Sequence, residues 1–148
     1  MEKKSLFDED VFSAIQARIE NLTPETQPEW GSMDVAQMLA HCAEIQEVLN
    51  GKALKGTPFI VKLFGRLIRR MVLSDKPYPH SSRTHPQYIK ADLEDFYEQK
   101  ERLQRALDTM VANGPIASKH PIFGMMSGED KGWAMYKHLG HHFTQFGV

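Results

Sequence analysis

Apolar residues recur at three- and four-residue intervals along almost the whole chain, the spacing of helices that each bury one face. Val11, Phe12, Ile15, Ile19 and Leu22 form the first stripe and predict a helix over about 8–22, stopped at Thr23-Pro24. A polar, proline-containing loop follows and ends in Glu29-Trp30-Gly31. Ser32 is the expected N-cap of a second helix, with Asp34 well placed in its first turn. Val35, Met38, Leu39, Cys42, Ile45 and Leu49 carry that helix to a stop at Asn50-Gly51. A third, shorter helix is expected over 58–73, with Ile60, Leu63, Phe64, Leu67, Ile68 and Met71 as its apolar face. Lys62, Arg66, Arg69 and Arg70 fall on its polar side.

Residues 74–91 contain Pro77, Pro79 and Pro86, too many for a regular element. Connections of that length in a compact domain often carry function. Asp92 opens the next expected helix, with Asp95 three residues on. Leu93, Phe96, Leu103, Leu107 and Met110 lead it to the stop at Asn113-Gly114-Pro115. After a loop to Met126, Ser127 caps the last helix, and Asp130 stands at the capping-box position. No strand is predicted. Four long helices and one short one imply an all-α fold, a bundle whose long crossover joins the second and the penultimate long helix.

The 148 residues suit one domain, 1–148, able to bury its own core without a disulfide or structural metal. The lone cysteine, Cys42, excludes an intrachain disulfide and fits a reducing compartment. The N-terminal residues lack the apolar core of a signal peptide, so the cytoplasm is the expected location. No apolar run is long enough to span a membrane. A formal net charge of −1 gives no general case for nucleic acid, so neither nucleic acid nor membrane is an expected partner.

Candidate chemistry sits on the last helix. His138 and His142 are four residues apart, which stacks them on one side of an α-helix, about 40° apart. That offset lets two imidazoles reach one metal ion, as in the HExxH zinc motif. The Glu that follows the first His in that motif is missing here, which argues against a metalloprotease. Relative to the apolar arc of Met135, Leu139, Phe143 and Phe146, His142 lies about 60° off centre, His138 about 100° and His141 about 160°. The first two can face the bundle or its mouth; His141 is expected to face solvent or a partner. On the second helix His41 borders the apolar stripe at about 80° and is the candidate third ligand. Three histidines would leave one coordination position open, the mark of catalytic rather than structural sites.

Other features are weaker. Cys42 is centred in its stripe and reads as a small core hydrophobe. Glu44, one turn after His41, is the nearest candidate acid or base, although plain helix surface is the simpler expectation. His80, Arg83 and His85 in the long loop, and the Lys62/Arg66/Arg69/Arg70 face, could meet anions or simply be solvated. Trp30 is expected to pack rather than react.

Two blocks carry a family resemblance. Trp30-Gly31-Ser32-Met33 with Gln37-Met38-Leu39-Ala40-His41 resembles the start of the second helix in DinB-like proteins. His120-Pro121-Ile122-Phe123-Gly124, then Trp133, then Tyr136 to Gly147, is similar to one bacterial branch of the DinB/YfiT-like metalloenzyme superfamily. The resemblance implies an antiparallel four-helix bundle, often a homodimer, with a divalent metal on one histidine of the second helix and an H-x-x-x-H pair of the last. Its second histidine is commonly followed three residues later by Gln, as His142 is by Gln145. The implied ligands are therefore His41, His138 and His142, with His141 left over. Zn, Ni, Fe and Mn all accept imidazole, so the metal is not fixed by the ligands.

Some superfamily members transfer low-molecular-weight thiols to electrophiles, and others look like hydrolases or isomerases. The implied function is a metal-dependent enzyme, a small-thiol transferase or hydrolase acting on a small-molecule substrate. The rival is a non-enzymatic helical stress-response or binding module with incidental or no metal.

Overall fold

The computed structural model describes residues 2–80 and 82–148. Among them are six α-helices: α1 (Glu9–Glu20), α2 (Val35–Leu49), α3 (Phe59–Leu63), α4 (Gly65–Leu73), α5 (Phe96–Asn113) and α6 (Gly128–Gln145). A 3-10 turn at Pro86–Tyr88 and two short strands, β1 (Ser118–His120) and β2 (Gly124–Met126), complete the fold. The expectation of a mainly helical protein holds. Among the described residues no helix is long and apolar enough to cross a membrane.

One apolar core runs through the long helices. Ile15 and Ile19 of α1, Met38 and Leu39 of α2, Leu103 and Leu107 of α5, and Leu139 and Phe143 of α6 meet in it, all but fully buried. Polar contacts tie the helices in pairs. Asn50 at the end of α2 donates to the Ala106 carbonyl of α5 at 2.8 Å. Arg18 of α1 lies over the Phe143 ring and donates twice to the Val148 carbonyl just past α6.

Helix starts follow local chemistry, shifted from the sequence reading at two places. The N-cap of α2 is Asp34, not Ser32, and it closes a capping box with Gln37. The N-cap of α5 is Asp95, not Asp92; Leu93 is 98% exposed and lies outside the helix. In both cases an aspartate three residues ahead of a polar N3 residue satisfies the free amide there. The capping box of Ser127 and Asp130 on α6 is as expected.

The third expected helix differs more. It breaks at Phe64 into α3 and α4, and its apolar stripe faces outward. Gly65 docks instead, where a Cβ would come within 2.6 Å of the Ile122 carbonyl oxygen. Arg69, on the docked side, pairs with Asp130 of α6 at 2.9 Å. A close backbone approach and an ion pair thus set the rotation, and the apolar stripe does not. The β1–β2 hairpin was also unforeseen. Its three register pairs run from Ser118↔Met126 to His120↔Gly124, too short for an alternating pattern. The His120 Nδ1 accepts the amides of Ile122 and Phe123 and so closes the turn.

Candidate metal centre

His41 on α2 and His138 and His142 on α6 come together, each offering a ring nitrogen, with those nitrogens within 4.8 Å of one another. His41 and His142 are buried and His138 is partly exposed. These are the three residues that the wheel and the resemblance selected.

Their tautomers follow from their neighbours. The Nδ1 of His41 lies 2.8 Å from the carbonyl oxygen of Tyr88, in the 3-10 turn. A carbonyl only accepts, so Nδ1 carries the hydrogen and Nε2 presents a lone pair. The Nε2 amide of Gln145 donates to the carbonyl of Trp30 at 2.7 Å, which turns its Oε1 toward His142. That oxygen lies 2.8 Å from Nδ1 of His142, so this ring too is protonated at Nδ1 and free at Nε2. The Nε2 atoms of His41 and His138 are 3.2 Å apart. Two nitrogens bound to one tetrahedral ion at about 2.0–2.1 Å would be about 3.3–3.4 Å apart. The buried Nδ1 of His138 has no hydrogen-bond partner among the described residues.

Burial pushes all three imidazoles toward the neutral form. It lowers His41, lowers His138 well below its ordinary value and takes His142 down to about 3. Their mutual charge repulsion works in the same direction for His138 and His142. Neutral rings, each offering a ring nitrogen to its neighbours and two of them with Nε2 left free, are what a divalent metal requires. The donor set therefore fits a metal of the imidazole-accepting kind.

The long loop supplies much of the surround. Tyr78 stands edge-on to His138 and His141, with ring centroids at 6.5 and 5.7 Å. His80 stacks on Trp30 at 4.0 Å, and Tyr88 provides the carbonyl for His41. Trp30 packs, as expected. Lys137, beside His138, is buried and donates to the carbonyls of Met71, Val72 and Ser74, holding the end of α4 and the start of the loop onto α6. Its Nζ lies 4.3 Å from the centroid of the Tyr78 ring.

Residues 9–146 match the sequence profile of the DinB superfamily. This chain belongs to that superfamily. No curated protein and no solved structure gives a match. In this DinB-superfamily chain His141, expected to face solvent or a partner, is half-buried beside Trp30, Tyr78, His80 and His142. Glu44 is neither plain helix surface nor part of the cluster. It is buried and takes hydrogen bonds from Lys52, Gln87 and Arg102. His85 caps the 3-10 turn and bonds Thr57, and Arg83 is exposed. The Tyr88, Trp30 and Gln145 contacts were missed by sequence reasoning; only Gln145 had a signal, its spacing from His142.

Cys42 is fully buried with its Sγ 3.7 Å from the Met38 sulfur, and burial pushes the thiol far up, so it stays protonated. Cys42→Ala should keep the metal at a packing cost of about 1 kcal/mol. His141→Ala should keep it as well. Metal analysis of each purified variant checks both; loss of the ion from His141→Ala would place the pair at His138 and His141 instead.

Proposed function

We propose that this chain is a metal-dependent enzyme, a small-thiol transferase or a hydrolase, with a divalent ion (Zn, Ni, Fe or Mn) on Nε2 of His41, His138 and His142. The carrying observation is the convergence of three neutral imidazoles, two of them with tautomers fixed by acceptors behind them. We read α1, α2, α5 and α6 as the antiparallel four-helix bundle that the family resemblance implies, with residues 50–95 as its crossover.

A divalent ion on three protein ligands supplies a Lewis acid with an open position, which lowers the pKa of a thiol or water entering it. The chain's own residues do the rest. The Tyr88 carbonyl and Gln145 hold His41 and His142 in their donor orientation. Lys137 keeps the loop start against α6, and with it Tyr78 beside the cluster. Tyr78, His141, His80 and Trp30 form an aromatic surround beside the cluster.

The test is turnover by metal-loaded protein purified without a histidine tag. A chlorinated aromatic is offered with a panel of small thiols, and activated esters are offered alone. Turnover that disappears with a chelator and in His138→Ala is expected. Full metal loading with no turnover of either class would make the chain a metal-holding binding module.

A further inference from the structure

The α3–α4 segment carries an apolar face that the fold leaves uncovered. Ile60, Leu63 and Leu67 are 61–64% exposed, and Phe59, Phe64 and Met71 are exposed with them. The segment is fixed from the other side by Gly65 against Ile122, by the Arg69–Asp130 pair and by Lys137 on the last carbonyls of α4. Its outward face is therefore set by packing.

Charge along this segment has one sign. From residue 48 to residue 74 the chain holds six Lys and Arg residues and no Asp or Glu. Lys62, Arg66 and Arg70, spaced four apart, form an exposed row beside the apolar stripe. A short helix with large apolar residues on one arc and only cations along its flank matches the interface of a negatively charged bilayer. A second copy fits it less well. In a two-fold contact the same patch meets itself, which would bring two rows of Lys and Arg together. Absence of a spanning helix does not bear on this, because adsorption needs none.

We propose that α3–α4 is a docking surface for an anionic lipid bilayer, with the Ile60/Leu63/Leu67 stripe entering the headgroup boundary and Lys62, Arg66 and Arg70 meeting lipid phosphates. The surface holds the protein at the membrane by one edge. It is independent of the metal, since no histidine of the cluster lies on it.

The experiment is flotation of the full chain with vesicles of phosphatidylcholine alone or mixed with phosphatidylglycerol. Binding to the mixed vesicles only, weakened by added salt, is expected. Arg66→Gln with Arg70→Gln should weaken it about 30-fold, at the worth of a basic residue near such a surface. Leu63→Glu with Leu67→Glu should abolish it. These side chains are exposed, and an unchanged melting temperature confirms that each variant folds. No binding to mixed vesicles, equal binding to both kinds, or binding unchanged in the variants would overturn the proposal. So would light scattering showing that Leu63→Glu with Leu67→Glu turns a dimer into a monomer, which would assign the face to a second copy.

Discussion

Replacing His142 by Ala is expected to strip the chain of its divalent ion, where the unaltered protein should hold about one ion per chain through dialysis. One of three converging donors is lost, and the two that remain come from different helices. Gln145→Ala should be milder, weakening affinity about 10–100-fold, because it removes the acceptor that orients a ligand but not the ligand. Zinc titration by calorimetry, with elemental analysis after dialysis, separates the two. Unaltered protein should gain about 4 kcal/mol of stability at a free zinc concentration 1,000 times the dissociation constant, and His142→Ala should gain none. Stoichiometric metal surviving His138→Ala and His142→Ala together would sink the site.

The second large effect is on stability toward acid. Burial alone would raise the Glu44 carboxyl, but hydrogen bonds from Lys52, Gln87 and Arg102 outweigh it and hold the group down at about 2. Its unfolded value is 4.5, so its contribution is present above pH 4.5 and is lost as pH falls toward 2. That depression corresponds to about 3 kcal/mol at neutral pH. His120 acts in a higher window. Burial depresses it from 6.5 to about 4, so on acidification the unfolded chain takes up the proton first and stability falls between those values; His41, His138 and His142, depressed likewise by burial in the metal-free protein, add to the fall. Denaturant titrations of metal-free protein should therefore show stability falling from about pH 6.5 downward in two overlapping stages. Glu44→Gln should cost about 3 kcal/mol at pH 7 and shrink the lower stage, to which the depressed Glu47 carboxyl and His142 also contribute. A variant as stable as the parent at pH 7 would show that the Lys52–Glu44–Arg102 group contributes nothing.

What could be read from the sequence was whatever depends on neighbours along one helix. The His138/His142 pair and the Ser127/Asp130 cap are relations of three or four residues, which helix geometry fixes, whereas Gln145 was marked only by the family resemblance and its contact was not foreseen. His41 was found on a different basis, its place at the edge of an apolar stripe, and the convergence of the three is a tertiary fact. The groups behind His41 and behind Gln145 were hidden because they are backbone carbonyls, of Tyr88 and Trp30, in irregular segments. A carbonyl has no residue-type signature, so only the path of the chain reveals it. The α3–α4 rotation failed for a related reason. Periodicity shows which face is apolar but not which face docks, and here a glycine and an arginine took the inner side. The surroundings of His141 and Glu44 were hidden because a wheel knows nothing of the residues on other segments that cover a helix, Tyr78 and Gln87 in the long loop and Arg102 on α5.

Gln145 joins two parts of the molecule that are distant in sequence. Its side chain spans His142 and the Trp30 carbonyl, and its own carbonyl accepts the Glu29 amide at 2.7 Å. Gly31 lies so close that a Cβ there would come within 2.6 Å of the Gln145 amide nitrogen. The connection ahead of α2 is thus fastened at the residue that orients a ligand. To open, that connection must give up its bonds to Gln145, and an ion on His142 opposes any motion that turns the ring. Solvent exchange of the Glu29 amide hydrogen should therefore slow when the cluster is loaded, making one backbone position outside the site a gauge of its occupancy.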